Sequence, residues 1–149
     1  MQRRLFIQAG TAGSLAIIAP FLIATHAQNA GTKGQKRHKI VIQVSDNDPA
    51  KWNLALNNAK NLQDDVGAAN VDIEIVAYGP GIGMLKLESL SGARVADALT
   101  AKVKVIACEN TMRGQKLTRD DMLPALSYVP AGVTEIMTRQ SEGWTYLRP

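Results

Sequence analysis

The sequence predicts an α/β protein, a three-layer α/β/α sandwich with a mainly parallel sheet of about five strands. Two observations predict the class. Short β-branched runs alternate with segments whose apolar residues recur at helical spacing, and the connections between them are short, the signature of parallel strands covered by helices on both faces. A third observation bounds the size. Once an N-terminal export signal is set aside, 149 minus 27 leaves 122 residues, enough for one domain with a single core.

The signal is the first element. Residues 1–27, MQRRLFIQAGTAGSLAIIAPFLIATHA, carry Arg3 and Arg4, then about 16 mostly apolar or small residues, then Thr25-His26-Ala27 in an A-x-A-like arrangement. The anatomy predicts cleavage after Ala27. The apolar segment is short for a spanning helix, which needs about 20 residues, and Gly13 and Pro20 interrupt it. Arg3-Arg4-Leu5-Phe6-Ile7 resembles a twin-arginine signal, with Gln2 where that pattern usually has Ser or Thr. Proteins on that route are exported already folded. Residues 28–37 read as a flexible linker, and residues 38–149 as the domain.

Within the domain, HKIVIQV at residues 38–44 reads as a buried strand that stops at the turn cluster SDNDP. Trp52, Leu54, Ala55, Ala59, Leu62 and Val66 then recur at helical spacing, with Pro49 in the first turn and Gly67 at the stop, which predicts an amphipathic helix. VDIEIVAY, residues 71–78, is a second strand ending at Gly79-Pro80-Gly81. Residues 82–90 read as one irregular helix, and residues 91–101 as a clearer helix leading into a third strand at 103–107. Thr118-Arg119-Asp120-Asp121 opens a short helix by its capping chemistry. A fourth strand follows at 126–129, a last helix at 131–141 ended by Gly143, and a closing strand or edge segment at 145–148.

Charge and composition exclude several classes. The formal charge is +4, but removing residues 1–27 takes away two arginines and no acids, leaving 15 basic minus 13 acidic, or +2. The high pI is therefore a poor argument for nucleic acid, and Lys33, Lys36, Arg37 and Lys39 read as a solvated leader. No cofactor motif appears. GPGIG at residues 79–83 follows the second strand, lacks GxGxxG spacing and has no lysine in P-loop register, so a turn is favoured over a phosphate cradle. His38 is the one histidine after residue 27 and stands at the start of a strand, the wrong end for a crevice. That position argues against Cys-His or Ser-His-Asp catalysis and against a zinc site. Asp46 and Asp48, with Asp120 and Asp121, read as caps rather than as metal ligands. Asn53, Asn57, Asn58 and Asn61 stud the first helix and mark either a solvated or inter-helix polar face or an oligomer contact.

In doubly wound sheets the functional crevice lies outside the carboxyl ends of the strands. Three loops reach that end here, at residues 45–49, 79–83 and 108–113. The third begins with Cys108, the single cysteine of the chain. It cannot form an internal disulfide, so it is inert packing, an intermolecular link or a reactive sulfur. A helical turn over residues 110–114 would favour its thiolate, with Arg113 adding positive charge and Glu109 opposing both. An inert buried thiol is the alternative.

The ladder KIVIQVSDNDPAKWNLALNNAKNL, IEIVAYGPGIGML, VKVIACENTMRG and LPALSYVPAGVTEIMTRQSEGWTYLRP resembles the DsrE/DsrF-like family, and within it an exported branch. The resemblance covers residues 38–149 and implies an α/β/α fold, a homo-oligomer (a trimer or hexamer), and sulfur relayed as a cysteine persulfide. Cys108, Arg113 and Gly114 match the family's pattern of a cysteine after a central strand followed by an Arg-Gly pair. The resemblance thus implies Cys108 as the catalytic or carrier thiol, with Asn110, Thr111, Arg113 and Gly114 holding the sulfur as an anion. Asp46, Asn47, Gly79 and Gly81 are candidates for lining the pocket. No metal or cofactor, no nucleic acid and no membrane after signal removal are expected, and the location is periplasmic. Characterised relays are cytoplasmic, so the sulfur donor and acceptor here must differ from theirs. The alternative function is a non-catalytic, oligomeric small-ligand-binding module.

Overall fold

The computed structural model describes residues 37–149; the predicted signal and most of the predicted linker lie outside the described residues. In chain order the elements are β1 (His38–Val44), α1 (Pro49–Val66), β2 (Val71–Ala77), α2 (Gly92–Thr100), β3 (Lys104–Cys108), α3 (Glu109–Gly114), β4 (Ser127–Val129), α4 (Gly132–Ser141) and β5 (Thr145–Leu147). The strands form one 5-stranded sheet in the order β4-β3-β2-β1-β5, and every pairing in it is parallel.

Alternation along each strand sorts its side chains between two layers. Ile40, Ile42, Val44, Ile73, Ile75, Ala77, Val105 and Ala107 face a large core completed by Trp52, Ala55, Leu56 and Ala59 of α1, Val95 of α2 and Met112 of α3. Val41, Val76 and Ile106 face the other way, against Ile136 of α4 with Tyr78, Val129 and Trp144 around it. So α1, α2 and α3 cover one face and α4 alone crosses the other. The three layers expected from the sequence are present.

One charged side chain lies inside this packing. Glu74 is 4 % exposed, on the face of β2 that α4 covers, and it accepts from Arg139 Nε at 2.8 Å and from Lys104 Nζ at 3.0 Å. Arg139 also pairs with Glu135 and Glu142 of its own helix end, at 2.8 and 2.9 Å, and stacks over the Trp144 ring at 5.0 Å. The last turn of α4 is thereby fixed to the middle of the sheet.

Two sequence expectations are corrected. Residues 82–90 are not one irregular helix: a 3-10 helix spans Gly79–Leu85 and ends at Lys86, which is extended. Gly81 is pressed onto β1, where an added Cβ would stand 2.3 Å from the Val44 carbonyl oxygen. Beyond it, Leu87 N–H donates to the Asp121 carbonyl at 3.0 Å and Leu123 N–H to that of Leu85 at 2.9 Å, an antiparallel bridge that draws the chain out of helical conformation. The third strand runs one residue further than expected, because Cys108 is paired with Val129 across the β3–β4 ladder.

Of the four aspartates read as caps, Asp48 and Asp121 cap, whereas Asp46 carries an ion pair to Lys51. Asp48 accepts the N–H of Ala50 at 2.8 Å at the start of α1, and Asp121 accepts that of Thr118 at 2.7 Å, although the turn they cap, Arg119–Asp121, is 3-10. Asn53 and Asn57 prove to be the inter-helix polar face: their side-chain oxygens accept from Arg94 of α2 at 2.6 Å each.

Candidate functional site

The chain builds its sheet outward, β1 to β4, with α1, α2 and α3 on one side, and then returns through α4 on the other side to place β5 beside β1. Between the adjacent strands β3 and β4 the departing connections therefore go to opposite faces: β3 leads into α3 and β4 into α4. Such a divergence opens a crevice at the carboxyl ends of the strands. Cys108 is the last residue of β3, at that divergence.

Strand parity settles which way the thiol points. Cys108 is two residues after Ile106, so its side chain lies on the α4 side. There Gly132, the first residue of α4, donates its N–H to Cys108 Sγ at 3.2 Å. The approach depends on glycine, because a Cβ at position 132 would stand 3.1 Å from Tyr78 Cβ, 3.2 Å from Val76 Cγ1 and 3.3 Å from Cys108 Cβ. Gly132 was not among the candidates drawn from the sequence. The available signal was a glycine in the first turn of a helix just after Pro130, which tertiary contact alone makes informative.

Cys108 also stands at the N-cap position of α3, without a side-chain bond to that helix. Burial opposes ionisation of Cys108, and the polar groups around it, Thr111 and the N–H of Gly132 foremost, outweigh that and bring the thiol below its ordinary value; the hydrogen bond the sulfur accepts is the one from Gly132. Cys108 is 4 % exposed.

The predicted supporting residues divide. Thr111 is drawn into the site, its Oγ1 accepting the N–H of Gly79 at 2.9 Å, so the loop after β2 meets the start of α3. Asn110 donates its N–H to the Pro130 carbonyl at 3.0 Å, holding the β4–α4 connection over α3. Arg113, expected to add positive charge at the sulfur, instead donates to the Asn110 side chain on the exposed side of α3 and is not among the groups that shift the thiol. Glu109 pairs with Arg119 at 2.9 Å, which draws its charge toward that guanidinium. Gly114 lies at the exposed end of α3 with open space where a Cβ would be.

Of the pocket candidates, Gly79 reaches the site through Thr111, while Gly81 serves the contact with β1. Asp46 pairs with Lys51 at 3.2 Å and Arg148 at 3.5 Å, contacts that hold its carboxyl below the usual range, and its carbonyl accepts from the Trp52 indole at 2.7 Å. Asn47 packs against Gly83. These two residues organise the β1–α1 turn.

Fold and site together define a doubly wound α/β/α domain with one thiol at its switch point, between the start of α3 and the start of α4, whose first N–H it accepts. The chain belongs to the DsrE/DsrF-like family, whose model matches residues 38–149; at the level of the family, this associates it with sulfur relay. A similar solved structure is the protein of unknown function MTH1491 from Methanobacterium thermoautotrophicum, with 34 % identity, a TM-score of 0.72, and coverage of 75 % of this chain and 99 % of that one. Two further structures share the fold. One is YchN of E. coli, with 12 % identity, a TM-score of 0.59, and coverage of 76 % of this chain and 99 % of that one. The other is the conserved protein of unknown function BT1422 from Bacteroides thetaiotaomicron, with 10 % identity, a TM-score of 0.59, and coverage of 74 % and 94 %. Among curated proteins none matches.

Proposed function

We propose that this protein carries sulfur on Cys108 in the periplasm, as a homo-oligomer of three or six copies. The observation that carries the reading is the N–H of Gly132 on Cys108 Sγ at 3.2 Å at the switch point, an arrangement that favours anionic sulfur where ligands of such sheets bind. In the step itself, the Cys108 thiolate attacks the terminal sulfur of a donor persulfide, R–S–S⁻. The S–S bond of the donor breaks, a bond forms between Sγ and the transferred sulfur, and R–S⁻ leaves. Cys108 becomes Cys–S–S⁻ with no net change in charge and no external oxidant. Passing the terminal sulfur to an acceptor thiolate is the same reaction reversed.

The low exposure of Cys108, 4 %, favours a second reading, a non-catalytic oligomeric module that binds a small ligand and uses the thiol for packing. Titration with an aromatic disulfide reagent separates the two. Carriage predicts that the native protein reacts, with one equivalent consumed per chain. Reaction only after denaturation would leave the module.

A further inference from the structure

Along the seam between α1 and α2, small side chains face each other where larger ones would close the gap: Ala59 on the first helix and Ala98 on the second. They leave a cavity of about 310 Å³, at the lower end of the size of small-molecule sites. Its buried lining, Leu56, Ala59 and Val103, is apolar. The cavity lies in the layer opposite the Cys108 side chain and is separate from the thiol. Four charged residues border it, Lys60 and Asp64 of α1 and Arg94 and Asp97 of α2. Lys60 and Asp64 pair with each other one turn apart. Arg94 is held differently: its Nη1 donates to the carbonyl and side-chain oxygens of Asn53 at 3.4 and 2.6 Å, and its Nη2 to the Asn57 side chain at 2.6 Å. These neutral acceptors fix the guanidinium without cancelling its charge. Its Nε–H and one Nη2 hydrogen are left for another partner. Among the described residues neither Arg94 nor Asp97 takes part in an ion pair.

We propose that this cavity binds a small α-amino acid with an aliphatic side chain, its carboxylate on the Arg94 guanidinium, its ammonium on Asp97 and its side chain among Leu56, Ala59 and Val103. A guanidinium held in place with donors to spare suits a carboxylate, which it can bind through two parallel bonds. Asp97 follows Arg94 by three positions, and such positions are neighbours on a helix, about 5–6 Å apart at Cβ. A ligand whose two charges flank one carbon can bridge them. A simple anion would meet Arg94 but face the Asp97 carboxylate, and a simple amine would meet Asp97 but face the guanidinium, so the pair of charges selects a zwitterion.

Isothermal titration calorimetry of the full chain with L-leucine tests this, beside two probes of the same shape that each lack one charge, isocaproate and isoamylamine. Leucine should bind saturably, and each comparator at least about tenfold more weakly, the loss of one charge-assisted contact. Asp97→Asn should weaken leucine by about tenfold and bring isocaproate level with it, a change of preference that a merely structural role would not produce. Ala98→Leu, which fills the cavity and leaves both charges in place, should abolish binding. The site is independent of sulfur carriage, so Cys108→Ser should bind leucine as the wild type does. Absence of saturable leucine binding at millimolar concentration overturns the proposal. So does isocaproate binding the wild type as tightly as leucine, or leucine binding undiminished in Ala98→Leu. Should circular dichroism show Ala98→Leu unfolded, Asp97→Asn, at an exposed residue, decides by the change of preference.

Discussion

At Gly132 a side chain has nowhere to go, since the Cβ atoms of Tyr78 and Cys108 and a methyl of Val76 lie 3.1 to 3.3 Å from where its own would be. Gly132→Ala should therefore lift the start of α4 by a few tenths of an ångström and weaken its N–H bond to the sulfur. We expect about 1 kcal/mol of lost stability in urea unfolding, at the low end for overpacking because alanine recovers some helix propensity. The thiol titration should move to higher pH; an unchanged midpoint would show that this N–H does not support the anion. At this scale the sequence was partly legible. Cys108 stood out by being alone, and Thr111 by following it in register. Arg113 misled because four residues of α3 separate it from Cys108 and its guanidinium bonds Asn110 on the exposed side, and Gly132 was hidden because its meaning is a contact across 24 positions.

Among the elements, α4 is held at both ends. Its first residue meets Cys108, and its last turn is fixed by Arg139 to Glu74 in the interior of the sheet. Removing one partner of a buried pair leaves an uncompensated charge, which costs more than the pair itself contributes. Arg139→Met should therefore destabilise the domain by roughly 3 kcal/mol, less to the extent that Lys104 still reaches Glu74. Adding Glu74→Met should recover part of the loss. A double variant as unstable as the sum of the single ones would show that the two side chains are not coupled. Strands and long helices were readable because alternation and helical spacing are local. The 3-10 segment Gly79–Leu85 was not, because the close approach of Gly81 to Val44 and the bridge between Lys86 and Met122 are tertiary.

On the scale of the whole molecule, the strand order β4-β3-β2-β1-β5 makes the site. Had the chain added β5 beyond β4, the connections from β3 and β4 would lie on one face and no crevice would open at Cys108. The order is not written locally in the sequence, although a parallel α/β class limits the alternatives. The proposed export of this domain in folded form rests on Arg3 and Arg4. Arg3→Lys with Arg4→Lys should leave a folded, unprocessed precursor in the cytoplasm, seen by fractionation and immunoblotting; normal processing of the double variant would contradict it. The central claim is that Cys108 carries sulfur, and intact-protein mass spectrometry tests it most directly. After incubation with a sulfane donor, the wild type should gain the mass of sulfur on Cys108, lose it on reduction, and differ from a Cys108→Ser protein that keeps its circular dichroism and gains nothing. A wild type whose native thiol is titratable yet takes up no sulfur would contradict the claim.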